Sequence, residues 1–235
     1  MNNAPDSAMI MAAGLGLRMR PLTLTTPKPL IKLGGKALID YGLEKLKAAG
    51  VKNVVVNKHY LPDQIEAWAK AQTGIEIKIS DESDQVLETG GGITRALPML
   101  GRKPFYVLNS DCFWTEAATP ALQRLSETWN DRKMDCLLLL CDPARTTGYR
   151  GGGDFVIESD GRLKRQTQNA LVYIGAYIVH PRLFEAAPIG AFSMNVLWNK
   201  AIAAGRLYGI EHQGHWFDVG TPEGIPAAEA GLVKS

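Results

Sequence analysis

The 235-residue chain holds only three cysteines, Cys112, Cys136 and Cys141, an odd number with no CxxC spacing. That excludes a disulfide framework and a thiolate zinc site, and it points to a reducing compartment. Long apolar runs are missing too. The longest candidate, Cys136 to Cys141, is strand-sized, well short of the ~18 residues a membrane helix needs. The opening Met1-Asn2-Asn3-Ala4-Pro5-Asp6 has neither the basic stretch nor the apolar core of a secretion signal, so a cytoplasmic location is expected. Charge of one sign is nearly absent: 26 Lys and Arg against 24 Asp and Glu leave +2. With no basic stripe and no aromatic–basic interleaving, nucleic-acid binding is not expected. What is present is a globular balance of 46% hydrophobic and 21% charged residues. A chain of this size buries roughly 70–75% of its unfolded surface without any covalent staple.

Short apolar runs alternate with helical patterns. Ala8–Ala12, Val54–Val56, Ile75–Ile79, Phe105–Leu108 and Cys136–Leu140 read as buried strands. Lys36–Ala49, a segment starting at Pro62, Thr89–Leu97 with Thr89 as its cap, and Ala121–Trp129 read as helices between them. The order predicts an α/β fold with a mainly parallel sheet covered on both faces. After Pro143 the rhythm changes. Phe155–Ile157 and Leu163 flank an Asp160-Gly161 turn, as in a hairpin. Val172–Val179 and Trp216–Val219 read as strands, Val196–Ala204 and Pro222–Leu232 as helices. The expected organisation is one domain over 1–235 with two lobes, a nucleotide-type front half (1–142) and a more mixed second half (143–235), to which the family resemblance given below adds sugar binding and a second metal ligand.

The strongest local signal is Gly14-Leu15-Gly16-Leu17-Arg18-Met19-Arg20-Pro21-Leu22-Thr23, followed by Pro27-Lys28-Pro29-Leu30. Glycines after a first strand free backbone N–H groups to face an anion. Guanidinium groups grip phosphate oxygens in pairs, and a lysine held between two prolines is a stiffly presented point charge. A Walker A loop does not fit, because Gly35-Lys36 is followed by Ala37. A dinucleotide fingerprint does not fit either: Met19 stands where its third glycine belongs, and the second strand ends at Asn57-Lys58 rather than at an acid. A tight turn with solvated basic residues would explain Gly14-Leu15-Gly16 alone. It does not explain Arg18, Arg20 and Lys28 in the same short span.

A triphosphate site calls for Mg²⁺, held by one or two carboxylates plus the substrate's phosphates. Asp111 follows the buried run Phe105–Ser110 and so stands at the carboxyl end of a central strand. Asp218 sits in the apolar frame Trp216-Phe217-Asp218-Val219, where an unpaired acid is costly. Helix capping does not require either acid, since Thr119 and Thr221 are available for that task. Asp142 and Asp160 read as turn residues.

Together these segments resemble the sugar-1-phosphate nucleotidylyltransferases, whose signature loop is matched by Gly14–Thr23 with Pro27–Leu30. The family's two metal-binding segments are matched by Asn109-Ser110-Asp111 and Phe217–Thr221. The resemblance covers nearly the whole chain. It implies a Rossmann-like, three-layer nucleotidyltransferase (GT-A-like) fold and the reaction of an NTP with a sugar-1-phosphate to give an NDP-sugar and pyrophosphate. Within the family the chain is most similar to the compact N-acetylmuramate-1-phosphate uridylyltransferases, through Leu87–Ile93, Gly153-Asp154-Phe155 and Gly214–Thr221. The resemblance implies UTP and a sugar-1-phosphate as partners and Mg²⁺ as cofactor. It implies that Arg18 and Lys28 bind phosphates and that Asp111 and Asp218 hold the metal. Ala12, Ala13, Gly14, Gly16, Glu82, Gly90 and Asn109 would contact the nucleotide; Glu88, Asp154, Tyr173 and Gly175 would face the sugar. Two positions depart from the family pattern. Leu17 stands where Thr is common, and no Glu-Lys-Pro segment occurs, Gly151-Gly152-Gly153-Asp154 taking that region instead.

Several readings compete. A guanylyltransferase acting on mannose-1-phosphate or a heptose phosphate is the main rival within the enzymes, and a choline-phosphate cytidylyltransferase a further one. A non-catalytic nucleotide-sugar sensor is the alternative outside them. His212 and His215 invite a metal-pair reading, but a structural or sugar-contacting role is expected. Cys112, with no partner base apparent, is expected to be an inert packed thiol.

Overall fold

The computed structural model describes residues 4–232. Residues 1–3, half of the stretch read above for leader character, lie outside the described residues. The strands are β1 (Ser7–Met11), β2 (Lys32–Leu33), β3 (Lys36–Ala37), β4 (Asn53–Lys58), β5 (Glu76–Asp81), β6 (Phe105–Asn109) and β7 (Cys112–Trp114). They continue with β8 (Cys136–Cys141), β9 (Thr146–Thr147), β10 (Phe155–Ile157), β11 (Leu163–Arg165), β12 (Val172–Val179), β13 (Leu207–Glu211) and β14 (Trp216–Asp218). The helices are α1 (Leu38–Ala48), α2 (Pro62–Lys70), α3 (Glu88–Leu100), α4 (Ala121–Thr128), α5 (Asn195–Ala203) and α6 (Gly224–Leu232).

Seven strands form the central sheet in the order β13-β8-β12-β6-β1-β4-β5. Its pairings are parallel except around β12, which runs antiparallel to both β6 and β8. Strands buried on both faces read as continuous apolar runs, and β8, Cys-Leu-Leu-Leu-Leu-Cys, is buried at all six positions. Side chains alternate between the faces. Leu137 and Leu139 belong to the same buried cluster as Leu43 of α1, Ile65 of α2 and Leu125 of α4 on one face. Leu138 and Leu140 meet Ile93 of α3 and Trp198 of α5 on the other. The result is the three-layer α/β fold expected from the sequence. Among the described residues, no helix is long and apolar enough to cross a membrane.

Three local expectations are corrected. The helix assigned from Lys36 begins at Leu38, because Lys36-Ala37 turns back on Lys32-Leu33 around Gly34 (φ 57°) and Gly35 (φ 82°). Thr89 does not cap α3. It lies inside the helix, and its Oγ1 accepts the Met194 N–H at 2.8 Å, tying α3 to the start of α5. Neither Thr119 nor Thr221 takes a capping role: Glu116 Oε2 accepts the Ala121 N–H at 2.8 Å at the start of α4, and α6 begins at Gly224 rather than Pro222. The edge strand β13 was not assigned from sequence. Its interior glycine, Gly209, weakens the strand pattern but is needed, since a Cβ there would stand 2.7 Å from Leu163 Cδ2.

Gly175 is the other glycine that the fold demands. It lies in β12 with φ 86°, where the register against β8 shifts between Tyr173 and Tyr177. A Cβ would collide with Cys112 Sγ. Replacing Gly175 with Ala combines a left-handed backbone penalty with overpacking, and is expected to cost about 2–5 kcal/mol in urea denaturation. A cost below about 1 kcal/mol would show that the bulge can rearrange around a side chain.

Candidate active site

The carboxyl end of β1 opens into the glycine loop. The Ala12 N–H donates to Asn57 Oδ1 at 2.6 Å, which holds the strand end against β4. Gly16 takes φ 61°, and Thr23 Oγ1 donates back to its carbonyl at 2.9 Å. A Cβ on Gly16 would meet Thr23 Cγ2 at 2.9 Å and Lys28 Cβ at 3.1 Å. Glycine there lets the loop close over the segment that carries Lys28, whose ammonium forms an ion pair with Asp111 Oδ2. Asp111 occupies the turn between β6 and β7, and the Ser110 N–H donates to the Met11 carbonyl at 3.2 Å.

Asp218 is brought to the same place by strand pairing. β14 runs antiparallel to β7 with Asp218 opposite Cys112, so Asp218 stands across from the residue that follows Asp111. Asp218 Oδ1 accepts the Gly220 N–H at 2.9 Å. A Cβ on Gly220 would lie 2.7 Å from Asp218 Oδ1 and 3.0 Å from both terminal nitrogens of Arg18. The bare glycine is thus what allows Arg18 to approach Asp218.

A cavity of about 480 Å³ lies over these strand ends, a size suited to a small-molecule ligand. Its lining includes Ala12, Ala13, Gly14, Gly16, Arg18 and Lys28. Glu82, Glu88, Asn109 and Asp111 line it as well. Arg18 is shared with a second cavity of about 680 Å³, which Asp218 lines together with the glycine-rich turn from Gly148 to Gly151. Glu88, the first residue of α3, has φ 58°, a strained conformation of the kind found at functional sites. Gly90, Asp154, Tyr173 and Gly175 line neither cavity. The Gly90 N–H donates to the Phe192 carbonyl at 2.8 Å, and a Cβ on it would strike the Phe192 ring. Asp154 Oδ2 accepts the Tyr173 N–H at 2.9 Å, so those two are coupled to each other.

Asn57 was not singled out from sequence. It is 1% exposed and passes a hydrogen bond from Ala12 to Glu82, donating from Nδ2 to Glu82 Oε1 at 2.7 Å. A polar residue closing the Val54–Val56 run was the available signal. Glu82 is itself 1% exposed, and burial raises its carboxyl above the usual range against the pull of the Asn57 amide. His212 Nε2 donates to the Thr115 carbonyl at 3.1 Å, and burial pushes its pKa down to about 4. That leaves it neutral and structural at ordinary pH. His215 engages Thr147 Oγ1 at 2.8 Å. Cys112 is buried, its thiol raised by burial and donating to the Gly175 carbonyl at 2.9 Å, which makes it a packing group.

The sequence matches the nucleotidyl transferase family over residues 7–235. It is 43% identical to the N-acetylmuramate alpha-1-phosphate uridylyltransferase of Caulobacter vibrioides, covering 100% of both chains. It is 30% identical to the mannose-1-phosphate guanylyltransferase catalytic subunit beta of Danio rerio, covering 92% of this chain and 61% of that one. In structure it resembles a UDP-glucose pyrophosphorylase complexed with UDP-glucose, with TM-score 0.80, 19% identity, and coverage of 97% and 98%.

The raised Glu82 carboxyl has a consequence for stability. The folded chain holds this proton more tightly than the unfolded chain. The associated stabilisation is full below the ordinary carboxylate value of 4.5 and is lost as pH rises through the elevated folded value. Glu82→Gln removes that loss. Urea denaturation of the ligand-free protein should show the variant gaining on the wild type between about pH 4 and about pH 7. A gap that stays constant or narrows would contradict the direction of the shift.

Proposed function

The chain belongs to the nucleotidyl transferase family, and from that premise we propose that it transfers a uridylyl group from UTP to N-acetylmuramate-1-phosphate. The products are UDP-N-acetylmuramate and pyrophosphate. This reaction would serve peptidoglycan recycling in the cytoplasm. That it is a sugar-phosphate nucleotidyltransferase follows from the family and its relatives. The observation that carries the finer reading is the convergence of the glycine loop, Arg18, Lys28 and Asp111 on one cavity, in a chain 43% identical over its full length to such a uridylyltransferase. The guanylyltransferase reading is supported only by the more distant 30% relation, over 61% of that relative's length.

A phosphate oxygen of the sugar-1-phosphate attacks the α-phosphorus of UTP, and the bond from that phosphorus to the pyrophosphate oxygen breaks. The nucleophile is already ionised, so no strong general base is needed. The protein's task is positioning and charge neutralisation. The glycine-loop backbone and Arg18 hold the triphosphate. Lys28 places its ammonium beside the reacting phosphates, and Glu82 closes the base end of the cavity. Glu88, Asp154 and Tyr173 belong to the sugar side.

Mg²⁺ fits the donor set. Asp111 in the turn before β7 and Asp218 at the end of β14 would offer hard carboxylate oxygens, and one or two carboxylates plus substrate phosphates and waters are its usual holders. When bound, it supplies further neutralisation of phosphate charge. Among the described residues no group of three or more His, Cys, Asp or Glu is placed to hold a metal ion without the substrate. The phosphates would have to complete the shell.

Pyrophosphate release is the test. UTP with N-acetylmuramate-1-phosphate and Mg²⁺ is expected to give release, and GTP with mannose-1-phosphate is expected to give little. Chelating the metal should stop it. Lys28→Ala, Asp111→Asn and Asp218→Asn should each lower turnover by at least roughly 100-fold, the order seen when one electrostatic stabiliser is removed. Near-normal turnover in a folded Asp111→Asn protein would refute the assignment of that residue. Release confined to GTP would replace the substrate while keeping the chemistry.

A further inference from the structure

Arg165 is a cation without an anion. At the end of β11 its Nη2 donates to Asn195 Oδ1 at 2.6 Å and its Nε to Asn199 Oδ1 at 3.2 Å. Its guanidinium lies 4.4 Å from the Phe155 ring centre and 5.9 Å from that of Trp198. Among the described residues, no carboxylate forms an ion pair with it; Asp154 acts on it only through space. Burial costs this charge enough to lower its affinity for the proton. Two amide oxygens and two ring faces fix the plane of the group. Nη1 is left without a hydrogen bond among the described residues.

Its place in the fold is specific. Arg165 pairs with Phe155 across the β10–β11 hairpin, next to Asp154, whose carboxylate holds the start of β12 at Tyr173. On its other side Asn195 opens α5, and the preceding Met194 N–H is bound by Thr89, which lines the cavity of the glycine loop beside Glu88. The guanidinium therefore stands between the strand that carries Tyr173 and the helix starts that carry Glu88 and Asn195. Those are the elements assigned to the sugar.

We infer that Arg165 is a specificity-determining residue that binds the acidic ether substituent of the sugar, the lactyl carboxylate by which N-acetylmuramate differs from N-acetylglucosamine. The inference rests on the sugar identity proposed above. A planar fork of N–H donors matches a carboxylate in two-point geometry. A site built to hydrogen-bond a substrate group discriminates against an analogue that lacks it. A bracket that merely joined the hairpin to α5 would satisfy Asn195 and Asn199 without a permanent, partly desolvated charge.

The test compares N-acetylmuramate-1-phosphate with its neutral lactamide, of nearly the same size, using the full chain with saturating UTP and Mg²⁺. The wild type is expected to prefer the acid by about 10- to 100-fold in kcat/KM, the range of a lost charge-assisted contact. Arg165→Gln should bring that ratio close to one by losing rate on the acid alone, and Arg165→Lys should retain part of the preference. A proportional fall on both substrates, with the ratio kept, would mean a structural bracket and would overturn the inference. So would a wild-type ratio near one, which would leave uridylyl transfer to N-acetylmuramate-1-phosphate standing. Absence of wild-type turnover on the acid would overturn the functional reading and this inference with it. Thermal midpoints of both variants show whether the fold is intact, and the wild-type ratio is decisive without either variant.

Discussion

Two carboxylates from opposite halves of a chain can serve one ion only if the backbone fixes their separation. On the metal reading proposed above, that task falls to the short pairing of β7 with β14, which sets Asp218 against Cys112, the neighbour of Asp111. β7 is tied to the central sheet through the tight turn after β6, and β14 carries the segment that leads to Gly220 and α6. The rest of the site hangs from this junction. Lys28 reaches it through its ion pair with Asp111, and Arg18 through the space left by a missing side chain at Gly220. A charged cluster assembled this way needs few dedicated residues, because strand register provides the precision that side-chain packing would otherwise have to supply.

The antiparallel β12 is the second organising feature. A parallel sheet alone would present strand carboxyl ends across its full width. Inserting β12 brings a strand's amino end to the same edge, with Gly175 close to Asn109. The bulge there seats the Cys112 thiol against β12 carbonyls. On the proposed reading, the nucleotide side of the site would be built from loops that leave strands, and the sugar side from segments that enter them. That division follows the sequence, where the βα rhythm gives way after Pro143 to the glycine-rich turn and hairpin.

Much of this was legible from residue order because the informative residues sit in contrast to their surroundings. Asp111 and Asp218 stand out as acids at the ends of apolar runs. Gly14 and Gly16 stand out beside Arg18 and Lys28. The three-layer fold was legible from runs such as Cys136–Cys141, which only a doubly covered strand tolerates. What escaped were relations between distant segments. Asn57 looks like the polar end of a strand until Ala12 and Glu82 are seen on either side of it. Gly90 looks like a ligand approach until Phe192 fills the space beside it. Thr89 carries the chemistry of a cap but faces Met194, a partner whose position depends on how the whole second half packs. Arg165 reads as an ordinary surface arginine, since neither Asn195 nor Trp198 is near it in sequence.

The small third core has its own significance. Met19 of the glycine-loop region packs with Leu33, Phe113, Phe217 and Ala228, apart from the two large clusters that cover the sheet. The Gly34 N–H donates to Glu229 Oε1 at 2.9 Å, which joins the β2–β3 hairpin to the same group. Parts of a protein held by few buried contacts open locally at lower free energy than the whole. This patch is smaller than either sheet cluster, and it holds Met19 of the glycine-loop region and Phe217, the neighbour of Asp218, together. Through Ala228 the last helix supports both segments at once.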